Sequence, residues 1–118
     1  MDMTNPDKKK LDAQVVSEIK KQIAENTILI YMKGSPEMPR CGFSAKAIEV
    51  LATYHQPFVY VDILENSDIR ATLPHVASWP TFPQLYIQGE FIGGSDIILE
   101  LHQKGELKEL IEQASVST

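Results

Sequence analysis

Apolar positions in this chain recur first at helical spacing and then as short continuous runs. Leu11, Val15, Val16, Ile19 and Ile23 form one stripe of a helix from Leu11 to Glu25, and Asn26 is a fitting stop. Thr27-Ile28-Leu29-Ile30-Tyr31-Met32 is a nearly unbroken apolar run of β-formers, the pattern of a strand buried on both faces. Lys33-Gly34-Ser35-Pro36 breaks it, and a proline-containing loop leads to Cys41. Ala47, Ile48, Leu51 and Tyr54 mark a second helix that Pro57 ends, and Phe58 to Val61 reads as a second strand. Asn66 or Ser67 caps a third helix through Leu73, where Pro74 interrupts. Leu85-Tyr86-Ile87 and Phe91-Ile92 flank Gln88-Gly89, a hairpin signature. Two further helical stripes follow, at Ile97, Ile98 and Leu101 and at Leu107, Leu110 and Ile111, with Gly105 between them.

The order is α-β-α-β-α-β-β-α(α). A helix crossover between the first two strands makes them parallel, and the tight late turn adds antiparallel strands. The expected fold class is therefore α/β: a mixed four-stranded sheet with helices on both faces. Its ligand site is expected beyond the carboxyl end of the first strand.

At 118 residues the chain is one domain, large enough to bury a core unaided. A tail over residues 1–10 and a folded domain over 11–115 are expected. The formal charge of -5 disfavours a nucleic-acid partner, and the Lys8-Lys9-Lys10 cluster is offset by Asp7 and Asp12. One cysteine excludes an internal disulfide framework and fits a reducing compartment. Met1 to Asp12 holds no apolar signal core, and no run is long enough for a membrane span. The expectation is a cytoplasmic or organelle-matrix protein.

Candidate chemistry centres on Cys41, in Pro39-Arg40-Cys41-Gly42-Phe43-Ser44. A lone cysteine is most often a small buried hydrophobe. A proline-rich loop, a helix start and two nearby cations argue otherwise here. The helix start contributes about 0.3–1 kcal/mol toward the thiolate, against roughly 1.4 kcal/mol per pKa unit. A second cause is needed, and Lys33 is the better candidate than Arg40. Three residues on, where a dithiol oxidoreductase keeps its second cysteine, stands Ser44. Any second sulfur must come from outside the chain.

Three other groups are weak singly. Phe82-Pro83, if cis, leaves the Phe82 backbone free to pair with an extended thiol peptide. Gly93-Gly94-Ser95-Asp96 offers bare backbone and helix-start N–H groups to a carboxylate, with Asp96 available to an ammonium; the plain alternative is a glycine turn with Ser95 as N-cap. Lys33 and Arg70 form a possible clamp for a second carboxylate. His55, His75 and His102 lack metal-ligand spacing and read as surface or edge residues.

Together, Tyr31-Met32-Lys33-Gly34-Ser35-Pro36, Cys41-Gly42-Phe43-Ser44, Trp79-Pro80-Thr81-Phe82-Pro83-Gln84 and Gly93-Gly94-Ser95-Asp96 resemble the monothiol glutaredoxins of the short, single-domain bacterial type. The likeness runs from Ile28 to about Ile111. It implies a thioredoxin fold and a glutathione site. By resemblance, Lys33 and Arg70 hold the glycyl carboxylate, Phe82 before a cis Pro83 pairs with the cysteinyl backbone, and Ser95 with Asp96 binds the γ-glutamyl end. Some relatives carry cysteine where this chain has Ser95, so second-thiol chemistry proposed for them does not transfer.

Two functions compete. A 2Fe–2S cluster normally takes four ligands; two chains and two glutathiones supply four thiolates, with Cys41 as this chain's metal ligand. The resemblance implies such a cluster-bridged homodimer, serving as an iron–sulfur carrier in cluster assembly and iron homeostasis, with BolA-like proteins and cluster acceptors as partners. The alternative is a glutathione-dependent thiol–disulfide oxidoreductase with Cys41 as nucleophile. A third reading is an interaction module whose thiol is incidental.

Overall fold

The computed structural model describes residues 6–117. Nine elements follow in order: α1 (Pro6–Glu25), β1 (Ile28–Met32), α2 (Gly42–Ala52), β2 (Val59–Asp62), α3 (Ser67–Ala77), β3 (Gln84–Ile87), β4 (Glu90–Gly93), α4 (Ser95–Gln103) and α5 (Glu106–Ser117). The strands form one mixed sheet in the order β2-β1-β3-β4. β1 runs parallel to β2, with Leu29 beside Val59, and antiparallel to β3, with Ile30 beside Leu85. β3 and β4 are antiparallel across Gln88 (φ 51°) and Gly89 (φ 81°), with a register shift between Leu85 and Tyr86. Two successive positive φ values match the right-handed twist of a hairpin, as the Gln88-Gly89 pair predicts.

The unbroken apolar run of β1 is explained by its place in the middle of the sheet. All five of its residues are buried, and the two-residue period divides them between the two faces. Ile28, Ile30 and Met32 pack with Ala47, Ile48, Leu51, Ile98, Leu107 and Ile111 under α2, α4 and α5. Leu29 and Tyr31 pack with Val15, Ile19, Ile69, Leu73 and Tyr86 under α1 and α3. Burial of these side chains contributes about 1.5–3 kcal/mol each before chain entropy is counted.

Three expectations need adjusting. α1 begins at Pro6, ahead of the apolar stripe, so it overlaps the tail expected over residues 1–10; residues 1–5 lie outside the described residues. Proline is well suited to a first helical turn, where its missing N–H has no partner to lose. α3 does not stop at Leu73 but carries Pro74 inside its last turn and ends at Ala77. Pro74 forfeits one backbone bond, yet its carbonyl accepts the Trp79 N–H at 3.1 Å, and Ser78 closes the helix in the left-handed conformation (φ 53°). Asn66 is the N-cap position, but its side chain donates to the Asp62 carbonyl at 2.8 Å rather than capping.

Candidate functional site

β1 ends at the sheet's carboxyl edge, and the next residues form a compact structure ahead of the thiol. Ser35 and Met38 exchange backbone hydrogen bonds at 3.2 and 3.0 Å, and the Arg40 N–H donates to the Lys33 carbonyl at 2.8 Å. Gly34 sits at φ 93°, and its N–H donates to Asp62 Oδ1 at 2.9 Å. The same oxygen accepts the Leu64 N–H at 2.9 Å. Asp62 thus ties the loop after β1 to the loop after β2.

Cys41 is the N-cap residue of α2, in extended conformation, with its thiol half-exposed. The thiol makes no full capping hydrogen bond, but the N–H groups of the first helical turn face it. The Ser44 amide is the leading cause of a pKa below the ordinary thiol value. Partial desolvation opposes it, and the Phe43 amide, the Lys33 ammonium and the Ser44 hydroxyl add smaller downward contributions. Lys33 therefore assists and does not lead, and exposed Arg40 takes no part. The reason is proximity: helix-start amides are fixed beside the sulfur, whereas a lysine charge on a flexible stem is screened by water.

A depressed folded pKa makes stability present above the unfolded thiol value and lost as pH falls through the folded value. Lys33→Gln is expected to raise the midpoint of Cys41 alkylation while leaving it below that of an ordinary thiol. Iodoacetamide rates measured against pH check this. A midpoint that returns fully to the ordinary value would make charge, not the amides, the main cause.

Ser44 is fully buried, and its Oγ accepts the Lys33 N–H at 3.1 Å. In the position of a second thiol, the chain thus holds a hydroxyl that joins α2 to the end of β1.

Beyond the thiol lies a cleft of about 720 Å³. Lys33, Cys41, Arg70, Phe82, Ser95 and Asp96 all line it, so six of the seven residues singled out from sequence meet in one place. The seventh, Pro83, is buried behind it, and the Phe82-Pro83 bond is cis. Gly94, not Ser95, is the N-cap of α4 (φ -92°, ψ -166°). Ser95 and Asp96 are consequently first-turn residues whose N–H groups have no partner within the helix. Gly94 also has a packing duty. A Cβ there would lie 3.2 Å from Trp79 Nε1 and 3.3 Å from the Pro83 carbonyl oxygen.

The histidines stay apart from the site. His55 and His75 are exposed, and His102 pairs its Nδ1 with the Tyr54 hydroxyl between α2 and α4. Among the described residues no three His, Cys, Asp or Glu side chains gather as a metal group. Nor is any described helix long and apolar enough to cross a membrane.

Sequence reasoning missed Asp62 and Gln84. Gln84 is fully buried, and its amide nitrogen donates to the carbonyls of Trp79 (3.1 Å) and Thr81 (3.2 Å). A polar residue opening an otherwise apolar strand was the available signal.

A thiol at a helix start, a cis-proline turn beside the cleft and a second helix start that lines it, all on a β2-β1-β3-β4 sheet, define a thioredoxin-fold thiol protein. The profile of the Glutaredoxin family matches residues 28–92. Glutaredoxin 4 of Escherichia coli (strain K12) is 57% identical over 100 residues, covering 85% of this chain and 87% of its own length. The solution structure of reduced poplar apo GrxS14 superposes with a TM-score of 0.69 at 42% identity, over 98% of this chain and 99% of that one. A crystal structure of a buckwheat glutaredoxin–glutathione complex shares the fold, with a TM-score of 0.79 at 20% identity, over 88% of this chain and 93% of that one. The chain belongs to the glutaredoxin family. With Ser44 in place of a second thiol, it is a monothiol glutaredoxin homologous to glutaredoxin 4.

Proposed function

We propose that this protein binds glutathione in the cleft beside Cys41 and carries a 2Fe–2S cluster as cargo between two copies of itself. The observation that carries the reading is the pairing of a thiol of lowered pKa with a cleft lined by two cations, a helix start and an acidic side chain. Lys33 and Arg70 supply positive charge for one carboxylate, the first turn of α4 supplies N–H donors for another, and Asp96 supplies an acceptor for an ammonium. Glutathione carries two carboxylates, one ammonium and one thiol. The buckwheat relative in complex with glutathione supports the same ligand here.

Ligand arithmetic extends this to the cluster. A 2Fe–2S centre takes four thiolates, and this chain has one. Cys41 from each of two copies and the thiol of each bound glutathione complete the set. No second thiol in the chain competes for the metal or seals it in, which suits release to an acceptor. Met38 and Phe43, 61% and 62% exposed and within three residues of Cys41 in the chain, offer apolar surface for docking of a second copy, a BolA-like protein or an acceptor.

The lowered thiol pKa also favours a second reading, glutathione-dependent deglutathionylation. The Cys41 thiolate would attack the glutathione sulfur of a mixed disulfide, releasing the protein thiolate. A second glutathione thiolate would then attack the Cys41–glutathione disulfide, freeing Cys41 and forming glutathione disulfide.

The deciding test is anaerobic reconstitution with iron, sulfide and a cysteine desulfurase, with and without glutathione, followed by visible spectra and sizing. The expected product is a coloured dimer only when glutathione is present. A colourless monomer would overturn the carrier reading, and turnover of a glutathionylated substrate would then support the oxidoreductase.

A further inference from the structure

We infer that Gln84 is a positioning residue: its side-chain amide orients the Trp79–Phe82 loop so that the Phe82 N–H faces the cleft and is available to a peptide ligand. The inference rests on the glutathione reading for its ligand, but its structural core does not. Gln84 donates from one nitrogen to two carbonyl oxygens, those of Trp79 and Thr81. Carbonyls only accept, so the amide can sit in only one of its two flipped orientations. The remaining Oε1 accepts the Tyr86 hydroxyl at 3.1 Å, which completes the pairing of a fully buried side chain.

The consequence for Phe82 follows from peptide geometry. The only cis bond among the described residues is Phe82-Pro83, so the Thr81-Phe82 unit is trans and planar. In such a unit the C=O and the N–H point in opposite directions. With the Thr81 carbonyl drawn to Gln84 in the interior, the Phe82 N–H is turned the other way, toward the side where Thr81 and Phe82 line the cleft. That N–H takes part in none of the backbone hydrogen bonds of the turns and loops. Pro80 and Pro83 have no N–H to offer, and the Trp79 N–H is taken by the Pro74 carbonyl. The donors left in the segment are those of Thr81 and Phe82, of which the Phe82 N–H alone belongs to a peptide unit whose carbonyl Gln84 holds.

The anchor reaches further into the core. Tyr86 stacks edge-on against Tyr31 at 5.7 Å, and the Tyr31 hydroxyl donates to Gln22 Oε1 on α1 at 2.8 Å. The Tyr86 phenol is protonated at neutral pH in any case, and burial, which pushes it up to about 12, extends its range as a donor well into alkaline pH. The cleft loop is thereby held from below by side chains of β3, β1 and α1.

The test compares Gln84→Met, which keeps length but removes both donations and the acceptor, with Tyr86→Phe, which removes only the donation into Oε1. Three readouts are taken: the Phe82 amide resonance and its water exchange in ligand-free protein, glutathione affinity from Trp79 fluorescence, and the pH profile of Cys41 alkylation. Gln84→Met is expected to move the Phe82 amide signal, slow its water exchange and weaken glutathione binding about tenfold, the worth of one backbone hydrogen bond. Cys41 alkylation should stay unchanged. Tyr86→Phe should give the same changes in smaller degree.

An unmoved Phe82 amide, or wild-type glutathione affinity in Gln84→Met, would overturn the inference. Failure of the wild-type protein to bind glutathione would instead sink the functional reading, and the Phe82 amide would then decide the role of Gln84 alone. Should Gln84→Met not fold, the Phe82 amide in Tyr86→Phe decides in its place.

Discussion

Cys41→Ser is expected to abolish cluster assembly and turnover of glutathionylated substrates together, while the protein keeps its fold and melts no lower than the wild type. The loss should be complete because the chain holds no other sulfur nucleophile or thiolate ligand. Retention of the fold follows from the position. Cys41 is a half-exposed N-cap, and serine is among the best residues for capping a helix. The cations, helix-start amides and Phe82 backbone of the cleft remain, so reversible glutathione binding should weaken only a few-fold. Intact-protein mass after incubation with glutathione disulfide, cluster absorbance and a melting curve check the three parts. A marked fall in melting temperature would place Cys41 among the structural residues. A variant that keeps its biological role would make the protein an interaction scaffold.

Gly34→Ala should act through the backbone and cost much of the fold's stability. At φ 93° an added Cβ is strained in any surroundings. Here it would also lie 2.5 Å from the Met38 carbonyl oxygen and 2.7 Å from the Arg40 nitrogen. Both are backbone atoms, so no side-chain rotation gives relief. The loop must open, at the expense of the Arg40-to-Lys33 bond and the Gly34 bond to Asp62. Backbone strain and overpacking each typically cost about 1–3 kcal/mol. A net loss of about 3 kcal/mol would lower the melting temperature by roughly 10 °C in a domain of this size. Cys41 would shift with the loop, so alkylation should lose its low-pH reactivity as well. A variant that melts with the wild type would show that the loop has room the geometry denies.

The elements legible in the sequence were those whose cause is local. The run from Ile28 to Met32, the Gln88-Gly89 turn and the break at Gly105 each carry their reason within a few residues. The cleft was legible for a different reason: its parts belong to motifs of a known family, and topology brings those motifs to one edge. Features that depend on distant partners were not legible. Asp62 meets Gly34 across 28 positions, and nothing near either residue announces the pairing. The cap at Gly94 and the continuation of α3 past Pro74 were missed because the packing of Trp79 against Gly94 and the Trp79–Pro74 bond decide them. Lys33, chosen over Arg40 as the second cause beside the helix start, does lower the thiol pKa. The part played by the individual Ser44 and Phe43 amides was not legible, because charge is visible in a sequence and the aim of an amide is not.

Ser44 bears on how readily monothiol and dithiol chemistry interchange. Restoring a cysteine there supplies the missing sulfur, but the position is fully enclosed and its hydroxyl accepts the Lys33 N–H. Sulfur is larger and a weak acceptor. The substitution would leave a backbone donor poorly satisfied at the turn that sets Cys41 in place. The two side chains differ by a single atom, yet the site is fitted to oxygen, so a two-thiol site here would come at the expense of the contact that joins α2 to the end of β1.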